Sequence, residues 1–188
     1  MLPENFPGKL LDALQYAAEQ HRDQRRKGAT HAPYINHPIA VTEILWRVGG
    51  IRDEVTLLAA VLHDTLEDTD ATATEIAQRF GEEVCAVVLE VTDDKSLPKE
   101  ERKRLQVLHA AQKSIRARAV KLADKISNLN DITSAPPSDW NEERLNEYVA
   151  WAGRVVNGLR GSHPALEAAF DQAQQQARQS LDNLSLPR

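Results

Sequence analysis

The feature that most constrains this chain is residues 59–70, where an apolar helix runs directly into charged side chains. Leu57, Leu58, Ala60, Val61, Leu62 and Leu66 suit a helix buried on all sides. His63, Asp64, Glu67 and Asp68 do not, because an unpaired buried charge costs on the order of several kcal/mol. A fold that buries this helix must give those four side chains partners or a metal ion. On a continuous helix over residues 51–67 and a little beyond, His63 and Glu67 stand one turn apart on one line, and Asp64 and Asp68 on the next. An imidazole and three carboxylates placed this way make half of a metal site with an acid–base pair beside it. The other half must come from elsewhere in the chain.

The rest of the chain reads as helices. A stripe of Leu10, Leu11, Leu14, Ala17 and Ala18 predicts a helix over residues 9–27, stopped by Gly28. Its end carries the densest basic run of the sequence, from His21 to Lys27. After a loop with Pro33 and Tyr34, His37-Pro38 opens a second helix with Ile39, Val41, Ile44, Leu45 and Val48 inward. Gly49-Gly50 ends it, and Asp53 or a neighbour starts the central helix. Thr72 and Glu75 have the spacing of a capping box, with a stop at Gly81. Residues 82–92 are rich in β-branched side chains, yet Val84, Val87, Val88 and Val91 keep helical spacing. Residues 93–97 form a polar loop, and Pro98 starts a charged helix to about residue 115. The next helix buries Val120, Leu122, Ala123, Ile126 and Leu129, with Asp124 and Asn128 one turn apart beside that stripe. Turn-forming residues 134–139 precede two further helices, the last fraying in a glutamine-rich tail whose residues 171–178 read as a solvated face.

No strand pair, internal repeat or long linker interrupts this pattern. We expect an all-α bundle of about eight to ten helices, one domain over residues 1–188 with its core at 10–160 and a C-terminal helix at 162–185. A length of 188 residues suffices for one well-buried core. No apolar run reaches membrane-spanning length, and the N-terminus lacks the basic start and apolar core of a signal peptide. The single cysteine, Cys85, lies among valines and fits a small buried hydrophobe in a reducing cytoplasm. A net charge of −5 disfavours bulk attraction to nucleic acid or acidic membranes. An anionic ligand must therefore be held by a local basic patch. Trp46, Trp140 and Trp151 read as core or interface residues, which leaves a homo-oligomer open.

Taken singly, each histidine and aspartate has a structural explanation. Together, His37 at a helix start, His63-Asp64 on a second helix and Asp124 half-buried on a third make a set of two imidazoles and two carboxylates. Such mixed ligation suits one divalent ion with open positions, manganese, iron or zinc, which generates hydroxide from bound water near neutral pH. Glu67 and Asp68, one turn beyond, are placed to orient or deprotonate that water. Arg25-Arg26-Lys27 supplies fixed positive charge for the oxygens of a phosphate ester.

The order His37, His63-Asp64, Asp124 resembles that of the HD-domain phosphohydrolases. The flanking text is more specific: Arg25-Arg26-Lys27, Pro33-Tyr34-Ile35-Asn36-His37-Pro38, Leu62-His63-Asp64-Thr65-Leu66-Glu67-Asp68-Thr69, Glu90-Val91-Thr92-Asp93-Asp94-Lys95 and Val120-Lys121-Leu122-Ala123-Asp124-Lys125. These resemble the hydrolase domain of the RelA/SpoT homologues, above all the single-domain small alarmone hydrolases that include the metazoan SpoT-homologue enzymes. The resemblance covers residues 10–159. It implies hydrolysis of the 3′-pyrophosphate of (p)ppGpp to GDP or GTP and pyrophosphate, with Mn2+ as the usual ion and Fe2+ or Zn2+ as substitutes. It implies that His37, His63, Asp64 and Asp124 bind the metal and that Glu67 and Asp68 serve the water. Arg26 and Lys27 would lie along the nucleotide, and Tyr34, Asn128 and Tyr148 would line its pocket. The loop from Gly28 through Ala29 and Thr30 to Ala32 has no counterpart role. His21, His31, His109 and His163 read as surface or packing residues.

Rival readings follow from the same residues. The chemistry suits (p)ppApp or the 2′-phosphate of NADPH as well, and a generic HD nucleotidase or phosphodiesterase explains the metal set but not the basic run with Glu67-Asp68. A decayed nucleotide-binding module would be expected to lack a ligand or a carboxylate, and every one is present. A nucleic-acid role would rest on Arg22, Arg25, Arg26 and Lys27 alone.

Overall fold

The computed structural model describes residues 2–28 and 31–184. Among the described residues ten α-helices follow one another: α1 (Phe6–Gln20), α2 (Asn36–Arg47), α3 (Glu54–Leu62), α4 (Thr65–Asp68), α5 (Ala73–Phe80), α6 (Glu82–Val91), α7 (Lys99–His109), α8 (Ile115–Ser134), α9 (Glu142–Leu159) and α10 (Pro164–Leu184). A single 3₁₀ turn, Ala110–Gln112, joins α7 to the approach of α8. Among the described residues the only β-type pairings are two isolated bridges, Arg25 with Pro33 and Gly28 with Pro137. No helix of the described residues is long and apolar enough to cross a membrane.

The bundle is built around α3. Every residue from Thr56 to Leu62 is buried, and each large apolar side chain so enclosed contributes about 1.5–3 kcal/mol. Helices α1, α2, α6 and α8 pack around it. Helix α8 buries Val120, Leu122, Ala123, Ile126 and Leu129, as its spacing predicts, and buries the polar Lys121, Asp124, Lys125 and Ser127 with them. Local signals in the sequence translate directly into caps. Asp53 accepts from the Thr56 N–H, the Thr72–Glu75 capping box forms in full, and Gly81 ends α5 at φ +99°, a conformation that glycine adopts at little cost.

Several expectations need correction. Helix α1 ends at Gln20, not at residue 27. Residues 24–28 instead pair with residues 31–34: the Arg26 N–H donates to the Ala32 carbonyl at 2.9 Å and the Tyr34 N–H to the Gln24 carbonyl at 3.1 Å. Gly28 is therefore not a helix stop. A Cβ there would stand 2.7 Å from the Ala135 carbonyl oxygen, so only glycine permits the close approach to residues 135–137. Ala29 and Thr30 of the following loop lie outside the described residues. The α1 stripe is turned so that Leu11 is 66% exposed while Ala13 and Tyr16 are buried, and Ile39 and Val48 of α2 face outward. Helix α7 stops at His109. The C-terminal tail is not a purely solvated face: Ala173, Ala177 and Leu181 enter the core, and α10 lies along α8.

The central helix also departs from expectation, at the place that matters most. It breaks after Leu62, and residues 65–68 form the separate short helix α4. Two side chains take carbonyls at the break. His63 Nδ1 lies 2.8 Å from the Ala60 oxygen, and the Thr65 hydroxyl donates to the Leu62 oxygen at 2.7 Å. Side-chain donors of this kind compete with the helical ladder and turn the chain.

Candidate active site

Three helices deliver ligand atoms to one point. His37 stands in the first turn of α2, His63 caps the end of α3, and Asp124 sits mid-way along α8. All three are buried, and one ligand atom from each lies within 4.8 Å of the others. Asp124 is thus fully enclosed rather than half-buried. His37 Nε2 lies 3.2 Å from Asp124 Oδ1 and 3.7 Å from Asp64 Oδ2. His63 Nε2 lies 3.1 Å from Asp64 Oδ2, yet the approach is too oblique for a hydrogen bond, and this buried nitrogen has no aligned partner among the described residues. Asp64 sits at the margin of the compact trio and accepts from the Tyr34 hydroxyl at 2.7 Å.

The second nitrogen of each ring is occupied away from the centre. His37 Nδ1 lies 3.1 Å from the Ser127 hydroxyl oxygen, and His63 Nδ1 pairs with the Ala60 carbonyl. The Ala60 carbonyl can only accept, which puts the His63 proton on Nδ1; the Ser127 hydroxyl accepts in the same way from the His37 tautomer protonated on Nδ1, and in that tautomer both Nε2 lone pairs converge, the usual preparation of metal-binding imidazoles. The electrostatics agree. Burial holds the His37 pKa below its usual value, with the Asp124 hydrogen bond opposing. Burial acts the same way on His63, but the charges of Asp64 and Asp124 outweigh it and raise its pKa. For Asp64 and Asp124 burial favours the neutral acid, and the surrounding positive or ionisable groups reverse it: His63 and His37 for Asp64, Lys125 and the two histidines for Asp124. Both carboxylates are held far below the ordinary range. An orphaned imidazole nitrogen beside two ionised carboxylates is a donor set that fits a divalent ion of mixed N/O preference.

The two remaining carboxylates, both on α4, point apart. The Asp93 N–H donates to Glu67 Oε2 at 3.1 Å, and Arg102 Nη1 approaches Oε1 at 3.5 Å. Burial raises the Glu67 pKa, with the Asp93 amide opposing and the Asp93 charge reinforcing. Asp68 turns the other way, ion-paired with Lys95 and reached by the Tyr34 hydroxyl at 3.4 Å. Tyr34 therefore spans Asp64 and Asp68, so their predicted adjacency survives the break in the helix.

These groups, His63 excepted, line one cavity of about 720 Å³. Arg26, Lys27, Tyr34, Asn128 and Tyr148 all face it, as expected. Arg26 is held by Asp131 and donates to Asn128 Oδ1 at 2.8 Å, while Asn128 donates to Asp124 Oδ1 at 2.6 Å. The guanidinium lies 5.5 Å over the Tyr34 ring. Sequence reasoning missed the rest of the cationic lining. Lys95, Lys99, Arg102, Lys103, Lys121, Lys125 and Arg144 line the cavity too, as do Trp140 and Trp151. In all, ten cationic and six acidic side chains face it, a positive surface inside a chain of net charge −5. The tryptophans read as core or interface are cavity walls in two cases of three; Trp46 is 38% exposed with Arg52 stacked on it. A helical spacing of cations was the available signal: Lys99, Arg102, Lys103 and Gln106 recur at the intervals of one helix face. His21 is buried and stacked on Tyr34 at 4.7 Å, a packing residue behind the site.

Comparison with known proteins gives this arrangement a context. Residues 13–155 match the family model described as HD domain. The chain is 52% identical over 162 residues to guanosine-3′,5′-bis(diphosphate) 3′-pyrophosphohydrolase MESH1 of Xenopus tropicalis, covering 86% of this chain and 90% of that protein. Identity to the Homo sapiens protein of the same description is 53%, with the same coverage. A solved structure described as a metazoan ortholog of SpoT that hydrolyzes ppGpp superposes with a TM-score of 0.88 at 48% identity, over 94% of this chain and 97% of that one.

Proposed function

This chain belongs to the HD-domain family and, within it, to the MESH1-type 3′-pyrophosphohydrolases, and on that premise we propose that it hydrolyses the 3′-pyrophosphate of (p)ppGpp to GDP or GTP and pyrophosphate. One observation carries the reading from this chain's own residues: a buried His37–His63–Asp124 cluster that opens through His37 and Asp124 onto a cavity whose lining is cationic. A metal-binding centre with a phosphate-attracting lining is what hydrolysis of an anionic ester needs.

His37, His63, Asp64 and Asp124 are the proposed ligands. The donor set of two imidazoles and two carboxylates supports Mn2+, with Fe2+ or Zn2+ able to replace it. A divalent ion held there supplies a polarised water and offsets charge on the phosphoryl oxygens. Glu67 takes a proton from the attacking water, a role that suits a carboxylate whose pKa burial raises. The water oxygen bonds to the phosphorus that carries the 3′ oxygen, the P–O3′ bond breaks, and a proton passes to the 3′ oxygen as pyrophosphate departs. Asp68, steadied by Lys95 and Tyr34, positions the same water. Arg26 and Lys27 lie along the nucleotide, where the Arg26 guanidinium offers a flat face for the base and Lys27 a point charge for phosphate. Tyr34, Asn128 and Tyr148 shape the pocket. The substrate is a free nucleotide, and a reducing cytoplasm suits the buried free thiol of Cys85.

Purified protein with Mn2+ should release pyrophosphate from ppGpp, and Asp64→Ala should abolish the release. Parallel kinetics on ppGpp, ppApp and NADPH rank the substrates. Absence of turnover of ppGpp and ppApp with any of the three ions would refute the proposal.

A further inference from the structure

Helix α7 spans one side of the cavity without burying a single residue. The face it presents inward carries Lys99, Arg102, Lys103 and Gln106, at positions where an ordinary surface helix places its apolar stripe. Val107 packs this helix against the core, and the cavity face is left to charged and polar side chains.

Arg102 is the residue on that face that reaches the proposed chemistry. Its side chain is 24% exposed, and its Nη1 stands 3.5 Å from Glu67 Oε1. Its Nε–H is buried and has no acceptor among the described residues. A buried donor without an acceptor is costly, so the guanidinium gains from any small shift that brings an acceptor to it. Neighbouring groups hold the surroundings in place. Gln106, one turn further on, donates to Asp93 Oδ2 at 2.6 Å, and the Asp93 N–H in turn donates to the second oxygen of Glu67. Both oxygens of Glu67 are thus approached from residue 93 and α7.

Guanosine-3′,5′-bis(diphosphate) carries two diphosphates, one on each side of its ribose, and cations line the cavity both at its aromatic rings and at Glu67. Arg26, Lys27 and Arg144 gather around the rings of Tyr34 and Trp140. Arg102 stands at Glu67, where Lys121 also acts on the carboxylate. The phosphorus that receives water must lie beside Glu67, and its oxygens then fall next to the Arg102 side chain.

We infer that Arg102 binds the 3′-pyrophosphoryl group through the cavity-facing part of its guanidinium while its Nη1 keeps Glu67 in place, an assignment that rests on the hydrolase reading above. It is a substrate contact and a positioning residue at once. The partner group is the one whose P–O3′ bond is cleaved, not the 5′ diphosphate.

Calorimetric titration of the Mn2+-loaded protein with inorganic pyrophosphate and, separately, with GDP tests this. Arg102→Gln should weaken pyrophosphate binding about 10–100-fold, the worth of a charge-assisted hydrogen bond, and leave GDP binding unchanged. Arg102→Lys should fall between, because it keeps the charge and loses the planar fork. Both should lower kcat for ppGpp, since Glu67 loses its clamp. A purely structural role would weaken both ligands together or neither. Unchanged pyrophosphate affinity in Arg102→Gln, an equal loss for GDP, or no pyrophosphate binding by the unaltered protein each overturns the assignment. Should Arg102→Gln not fold, the same comparison in Arg102→Lys decides. Failure of the unaltered protein to turn over ppGpp would instead count against the hydrolase reading, and the two titrations still decide what Arg102 binds.

Discussion

Replacing Ser127 by Ala tests whether His37 serves as a ligand without altering the ligand. Ser127 is buried on α8, three residues beyond Asp124, with its Oγ 3.1 Å from His37 Nδ1. The substitution removes one oxygen and adds nothing, so overpacking plays no part. Two consequences act in the same direction. With the ring unchanged, the Nδ1–H loses its acceptor in a buried site, at a cost of about 1–3 kcal/mol. If the proton moves instead to Nε2, that nitrogen turns from lone pair to donor toward Asp124 Oδ1, 3.2 Å away, and cannot bind a metal. One factor opposes them: edge-on contacts with Tyr34 and His63, at centroid distances of 6.0 and 5.2 Å, still hold the ring in place. Loss of an outer partner of a metal-bound histidine lowers affinity about 10–100-fold in general. The retained packing puts this case in the lower part of that range, about 10–30-fold or roughly 1.4–2 kcal/mol. Titration of dialysed protein with Mn2+, followed by the electron paramagnetic resonance signal of the free ion, measures the dissociation constant directly. A folded Ser127→Ala protein whose Mn2+ affinity stays within about twofold of the unaltered one would refute the assignment of His37 Nε2 to the metal.

Other perturbations separate the remaining roles. Glu67→Gln should cut kcat by about 10²–10⁴-fold, the usual share of a general base, while Mn2+ affinity stays nearly unchanged; Asp64→Ala should lose both. Because burial raises the Glu67 pKa, folding stability falls as pH rises through that pKa and is unaffected well below it. Glu67→Gln should therefore raise the melting temperature of metal-free protein at neutral pH and not at acidic pH. Gly28→Ala should force residues 24–28 away from Ala135, whose carbonyl would stand 2.7 Å from the new methyl group; a cost of about 1–3 kcal/mol should appear mainly as a higher KM for ppGpp. Removal of metal by chelation should lower the melting temperature relative to protein held at 100 times the dissociation constant, by about 2.7 kcal/mol of lost linkage, or roughly 5–10 °C for a chain of this size.

The parts of the fold legible in the sequence are those whose cause lies within four residues. Asp53, the Thr72–Glu75 box and Gly81 each satisfy or end a helix by local hydrogen bonding or backbone preference. Residues 21–27 illustrate the opposite case. Nothing in their own pattern breaks the helix, because what draws the chain away is distant: the Gln24 amide donates to the Asp68 carbonyl, and Arg26 pairs with Asp131. The outward turn of Leu11, Ile39 and Val48 has a similar origin, since a stripe wide enough for either orientation is decided by the helix that packs against it. The break at His63 was hidden for another reason. It depends on a histidine and a threonine whose ordinary reading is mid-helix, and only their hydrogen bonds to Ala60 and Leu62 reveal the turn.

The proposed ligands were legible because imidazoles and carboxylates are costly in a core. The cations around them were not, because a lysine on a helix ordinarily reads as solvated. Lys125 is buried instead, 3.0 Å from Asp124 Oδ2 and 4.5 Å over the Trp151 ring, and Lys121 is buried beside it. The charge balance shows what such burial is for. Set aside Asp64 and Asp124, whose two charges a divalent ion would cancel while the histidines stay neutral. The cavity then holds ten cations against four carboxylates, Glu67, Asp68, Asp93 and Asp131. A metal needs none of that surplus, and like charges crowded into a partly enclosed space repel one another at a cost to stability. Only a ligand with several negative charges removes the repulsion. The surplus therefore belongs to the substrate, and a neutral or singly charged ester, though compatible with the metal cluster, would leave most of it uncompensated.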